Sequence, residues 1–171
     1  GEPLLARQAQ RALEAGAKVL VTLPPGKHPR RDALGDLPVT PVDVSDPTEG
    51  IAASLRAGVA ALPDVCDGVM ILLADMPDLT YVDLARMIAD WHPGEILRAT
   101  SATGEPGHPV IFPREVFGDF ATLTGDTGAR DLLRRHSGRV RLLPLEGERA
   151  LTDLDTPEAW AVWRARQADN Q

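Results

Sequence analysis

Ten residues, Gly68-Val69-Met70-Ile71-Leu72-Leu73-Ala74-Asp75-Met76-Pro77, constrain the fold of this chain more than any other stretch. They form an unbroken apolar run of strand length, without alternation, that stops at a carboxylate and a proline turn. Such a run suits a strand covered on both faces, as in a parallel sheet between helical layers, although periodicity alone leaves a short buried helix as the alternative. Length favours the strand. Open α/β sheets place their ligands at the carboxyl ends of the strands, and a parallel sheet would put Asp75 there. An ionised carboxylate at that place is costly to desolvate unless it is paired or holds a cation. Asp is equally a common turn residue, so Asp75 also reads as the start of the turn at Pro77.

The flanking segments supply the other layers. Pro3 to Ala15 puts Leu5, Ala9, Ala12 and Leu13 on one stripe before Gly16, which predicts a helix. Lys18 to Leu23 predicts a strand closed by Pro24-Pro25-Gly26. A helix leading into a buried strand is the second half of a βαβ unit, and the first strand of that unit is expected to be absent from the chain. Residues 27–46 read as irregular, with His28, Arg30 and Arg31 solvated and a short strand near Val39 to Val42. Ile51, Leu55, Val59 and Leu62 repeat at helical spacing, so Gly50-Ile51-Ala52-Ala53-Ser54 opens a helix. Its backbone N–H groups would favour an anion or polar ligand, and its small residues would equally serve tight packing.

Thr80 with Asp83 predicts a capping box, followed by a helix to Trp91. Ile96 to Ala99 and Val110 to Phe112 predict strands around residues 100–109, a segment rich in Gly, Pro and hydroxyls that reads as a binding loop or lid. Within it, His108 could donate to a substrate or simply hold the loop. Asp126 or Thr127 is placed to cap the helix carrying Leu132 and Leu133. Val140 to Leu145 is edge-like because of Pro144. Thr156 and Pro157 account for the start of a last helix, which leaves Asp153 and Asp155 with no capping duty. Those two carboxylates and Asp75 could converge on one cation.

At 171 residues the chain suits one domain, 1–171. A net charge of −7 without a long basic run argues against a nucleic-acid surface and suits a site that holds an anionic substrate through a divalent metal. Cys66, the only cysteine, excludes an internal disulfide and points to a reducing compartment, where it would be inert packing beside the strand. No stretch reaches transmembrane length or reads as a signal core, which makes the cytoplasm the expected location.

Six segments occur together in one order: Gly1-Glu2-Pro3-Leu4-Leu5, Glu49-Gly50-Ile51-Ala52-Ala53-Ser54-Leu55-Arg56-Ala57-Gly58, Leu73-Ala74-Asp75-Met76-Pro77, Gly107-His108-Pro109-Val110, Gly125-Asp126-Thr127-Gly128-Ala129-Arg130 and Asp153-Leu154-Asp155-Thr156-Pro157-Glu158. In that order they resemble the molybdenum cofactor nucleotidyltransferases, with the cytidylyltransferase members most similar. The resemblance implies an α/β fold of three layers, α/β/α, with a mostly parallel, glycosyltransferase-A-like sheet. It implies transfer of a nucleotidyl group from CTP to the phosphate of a molybdopterin-type acceptor, with magnesium as cofactor and pyrophosphate as product. Asp75 would be the catalytic carboxylate and would hold the metal with Asp155 and Asp153. Gly50, Ala53 and Ser54 would lie against the nucleotide, and Gly107, His108, Pro109, Gly125 and Asp126 would face the acceptor. The family's N-terminal glycine-rich signature does not occur in this sequence. Two other readings follow: a relative that uses GTP or another acceptor, and a non-catalytic cofactor-binding chaperone for a molybdoenzyme.

Overall fold

Apolar spacing builds the first unit of the chain, in a computed structural model that describes residues 3–169. Gly1 and Glu2 of the first family-like segment lie outside the described residues. Helix α1 (Leu4–Glu14) turns Ala9 and Leu5 onto a cluster with Val21 and Leu23 of β1 (Leu20–Leu23). The next segment is a short helix, α2 (Pro29–Leu34), where the sequence suggests irregular chain. His28 caps it, its Nδ1 accepting from Arg30 N at 3.2 Å, and Pro29 sits at the first helical position. One buried residue, Leu34, is too little to create a periodic signal. Arg31, expected to be solvated, pairs with Asp43. Strand β2 (Thr40–Asp43) then runs parallel to β1.

After α3 (Ile51–Ala60) the chain enters a second sheet of four strands in the order β3, β5, β4, β6. These are β3 (Gly68–Ile71), β4 (Ile96–Thr100), β5 (Pro106–Pro113) and β6 (Val140–Pro144). Helix α4 (Tyr81–Asp90) follows β3 and begins with the expected capping box between Thr80 and Asp83. Strand β5 is antiparallel to both β3 and β4, while β4 and β6 are parallel. Strands β3, β4 and β6 therefore point the same way and share one carboxyl end.

The pleat sends alternate residues to two helical layers. Ile96, Val110 and Phe112 face Ala52 and Leu55 of α3, the 3-10 segment Arg114–Thr122, and Leu132 of α5 (Arg130–Arg135). Leu97, Ala99, Ile111 and Leu143 face Met87 of α4 together with Met76 and Leu79. The last helix, α6 (Pro157–Asp169), starts where Ala159 N donates to Thr156 Oγ1 at 3.1 Å. No helix among the described residues is long and apolar enough to cross a membrane.

Three local expectations change. The run after Gly68 serves both layers, with Val69 and Ile71 on one side and Met70 on the other, yet its residues are only half-buried. Strand β3 has a neighbour on one side only among the described residues, so water reaches its other edge. Strand β5 begins at Pro106 rather than near Val110, which takes Gly107, His108 and Pro109 out of the expected loop and into the sheet. Neither Asp126 nor Thr127 caps α5, which starts after Ala129 without a side-chain cap. Cys66 is half-buried, its Sγ donating to Gly68 O at 3.0 Å.

Candidate functional site

Asp75 stands in the turn that leaves β3 at the shared carboxyl end of the sheet. The turn is pinned from behind. Buried Gln8 of α1 donates through Nε2 to Met76 O, and Arg11 Nη1 donates to Pro77 O at 2.9 Å and to Leu79 O at 2.6 Å. Trp163 Nε1 of α6 donates to Asp78 Oδ1 at 2.7 Å. Met76 and Leu79 are buried beneath, so the carboxylate in front has a rigid backbone. The sequence reading does not assign Gln8 or Arg11 to the site; the one signal was a polar Gln8 within the apolar stripe of Leu5, Ala9 and Ala12.

Asp153 and Asp155 arrive on a distant segment. Leu154 N donates to Asp75 O at 3.0 Å while the Leu154 side chain is buried, which leaves an exposed carboxylate on either side of the anchor. Burial, then the adjoining Asp155 carboxyl and the charge of Asp153, push the Asp75 carboxyl up to about 6. Asp75 Oδ1 is buried and meets no hydrogen-bond partner. Among the described residues no group of three or more His, Cys, Asp or Glu side chains encloses a metal by itself. The assembled feature is a pair, Asp75 with Asp155, and Asp153 is near enough to be felt.

The Gly107-His108-Pro109 segment reaches the same place through the backbone. His108 N donates to Ala150 O at 2.9 Å, and a Cβ on Gly107 would overlap that carbonyl, so only glycine permits the approach. Burial and the nearby Arg98 guanidinium push the His108 imidazole below its usual value, against an opposing pull from Asp153. Arg98 donates through Nε to Gly107 O at 3.1 Å.

Gly50 and the Gly125-Asp126 turn form a second contact. Ala52 N donates to Gly125 O at 3.0 Å, so one N–H at the start of α3 is already occupied. Gly50 has φ +102°, and a Cβ there would overlap Asp126 Oδ1. The carboxylate of Asp126 at a helix start is electrostatically favourable. Ala53 is buried beside this contact and Ser54 is half-buried. Gly50, expected to touch the nucleotide, and Gly125 and Asp126, expected to touch the acceptor, are therefore neighbours, and Gly50 leads in sequence into Ile51 and Ala52, which pack on the sheet face carrying Val110.

Comparison with known proteins places this architecture. Residues 1–140 match the family model described as the MobA-like NTP transferase domain. The chain belongs to that family. Among curated relatives, this MobA-like chain is 32% identical over 121 residues to the purine catabolism protein PucB of Bacillus subtilis (strain 168), covering 70% of the chain and 58% of PucB. It is 31% identical over 120 residues to nicotine blue oxidoreductase of Paenarthrobacter nicotinovorans, covering 66% and 58%. The chain thus spans 58% of the length of each of these relatives. The crystal structure of Rv0371c from Mycobacterium tuberculosis H37Rv superposes with a TM-score of 0.79 at 30% identity, covering 94% of this chain and 82% of that one. A manganese complex of Rv0371c matches with a TM-score of 0.78 at 29% identity, covering 93% and 84%.

The MobA-like chain has the three-layer glycosyltransferase-A-like nucleotidyltransferase fold. Its donors also suit a divalent cation. A buried carboxylate oxygen without a partner, facing a second carboxylate, is an arrangement that either a shared proton or a hard cation with oxygen ligands would satisfy.

Proposed function

We propose that this chain transfers a cytidylyl group from CTP to the phosphate of a molybdopterin-type cofactor, with magnesium and release of pyrophosphate. The Asp75–Asp155 carboxylate pair at the carboxyl end of the sheet carries the reading. In the reaction an acceptor phosphate oxygen bonds to the α-phosphorus of CTP, and the bond from that phosphorus to the bridging oxygen of pyrophosphate breaks. Two polyanions must meet, so positioning and charge neutralisation supply most of the acceleration. Magnesium, held by Asp75 and Asp155 with Asp153 beside them, would neutralise that charge.

The protein's own groups account for the remaining tasks. Gly50, Ala53 and Ser54 lie against the base and ribose, where a face of small residues accepts a close ligand. The small side chains there and the Leu73-Ala74-Asp75-Met76-Pro77 form support cytidine over guanosine. Gly107, His108, Pro109, Gly125 and Asp126 face the acceptor, and a neutral His108 offers one ring N–H without adding charge. No side-chain nucleophile is required. The lone cysteine, Cys66, supports work in a reducing compartment such as the cytoplasm.

The test is pyrophosphate release from CTP and from GTP, with molybdopterin and with or without magnesium. Magnesium-dependent release from CTP is the expected result, and Asp75→Asn should abolish it while circular dichroism remains unchanged. Equal use of GTP would remove the cytidine assignment, and full activity in Asp75→Asn would remove the metal assignment.

A further inference from the structure

On the sheet face that packs against α3 and α5, beside His108, two guanidinium groups lie near each other without an acidic partner. Arg98 of β4 lies opposite Val110 of β5, on the face shared with Ile96 and Phe112 and beside His108. It sits at the margin of the apolar cluster, two residues beyond Ile96 towards the carboxyl end of β4. Its Nε is spent on Gly107 O, and Gly107 is fixed in turn by the approach of Ala150 O, so the guanidinium plane is held from behind. Both terminal nitrogens remain available.

Arg130 is the first residue of α5, whose Leu132 and Leu133, with the preceding Ala129, pack on the same cluster. It stands near enough to Arg98 for the two charges to repel. Several other arginines are paired with carboxylates. Arg141 is gripped by Asp90 and Glu95, Arg149 by Asp83 and Arg134 by Asp131. Among the described residues no carboxylate comes within 4.0 Å of the charged nitrogens of Arg98 or Arg130. In a chain of net charge −7, carboxylates are plentiful, yet the half-buried Arg98 has Arg130 and no carboxylate as its charged neighbour. A partly buried guanidinium stays charged and needs an anion. His108, kept neutral at their side, adds no third positive charge.

We propose that Arg98 and Arg130 form a subsite for a phosphoryl group, clamping it between two guanidinium forks beside His108. The assignment rests on the nucleotidyl-transfer reading for its substrate, and it adds two residues to which that reading gives no role. Phosphate geometry matches the guanidinium fork, and two forks on one phosphoryl group give both charge neutralisation and orientation. The group has two possible sources in the reaction: the acceptor phosphate, or the terminal phosphates of the triphosphate.

The experiment is calorimetric titration of the full chain with inorganic phosphate, with and without saturating CTP and magnesium, on wild type, Arg98→Gln, Arg130→Gln and Arg134→Gln. Arg130 is exposed, so Arg130→Gln retains the fold and carries the test even if Arg98→Gln does not. Loss of one charge-assisted contact should weaken phosphate by roughly tenfold or more in Arg98→Gln and Arg130→Gln, and leave Arg134→Gln at wild-type affinity. Phosphate binding that survives saturation with CTP assigns the subsite to the acceptor. Competition by CTP, with CTP itself weakened in Arg130→Gln, assigns it to the triphosphate. Wild type that takes up no phosphate, an unchanged affinity in Arg130→Gln, or an equal loss in Arg134→Gln overturns the subsite. Arginine-dependent phosphate binding in a chain that binds no nucleotide would overturn the nucleotidyl-transfer reading and leave the subsite standing.

Discussion

Raising the pH through the titration of Asp75 should destabilise the metal-free chain, and the structure gives both sign and size. In the folded state burial and Asp155 lift this carboxyl to about 6, against an ordinary value of 3.8. Below the ordinary value both states hold the proton and the stabilisation is complete. Between the two values only the folded state holds it, and stability falls as pH rises until the folded group has also ionised. A shift of about two units corresponds to about 3 kcal/mol, at 1.36 kcal/mol per unit. Asp75 is half-exposed, and screening by water reduces this to about 1–2 kcal/mol. For a domain of this size that is roughly 2–8 °C in Tm. Urea unfolding in EDTA between about pH 4 and pH 7 should show the loss in wild type relative to Asp75→Asn, which has no proton to release. Burial is the larger cause, so Asp155→Asn should retain most of the slope and lose part of it. Magnesium added near neutral pH should restore stability to wild type and not to Asp75→Asn. A difference between wild type and Asp75→Asn that stays constant across the range would refute the reasoning.

Two substitutions probe how the site is held. Gly107→Ala would drive a Cβ into Ala150 O and break the close pairing of β5 with residues that precede Asp153; a loss above about 2 kcal/mol in urea unfolding is expected, and a neutral result would show that the approach is loose. Gln8→Met keeps side-chain volume but strands the buried carbonyl of Met76, so it should cost about 1–3 kcal/mol and lower kcat for CTP more than it raises KM. A Gln8→Met chain with wild-type kcat would show that α1 does not position Asp75.

What could be seen in the sequence was local. The apolar run ending at Asp75, the Thr80–Asp83 capping box and the helix opened at Gly50 each state their geometry within about one turn of chain; the capping box and the helix form as expected, and the run forms a strand that is only half-buried. That Asp153 and Asp155 exceed what one helix cap requires marked them as candidates, and the family-like order of short segments linked them to Asp75. The misses around the site are matters of pairing. Gly107 and Pro109 look like loop residues, since composition cannot reveal that a carbonyl from Ala150 crosses β5 there and demands the missing side chain. Arg98 is an unremarked charge in a strand until the register sets it beside His108 and α5 brings Arg130 to it. The same holds at the centre of the site. Asp75 and Asp155 are legible separately, but the hydrogen bond from Leu154 N to Asp75 O decides that their carboxyls face each other. One backbone contact between segments half the chain apart thus turns a turn residue and two surplus surface carboxylates into a site whose charge must be met by a proton or a cation. The pH-dependent stability and its reversal by magnesium measure that same requirement.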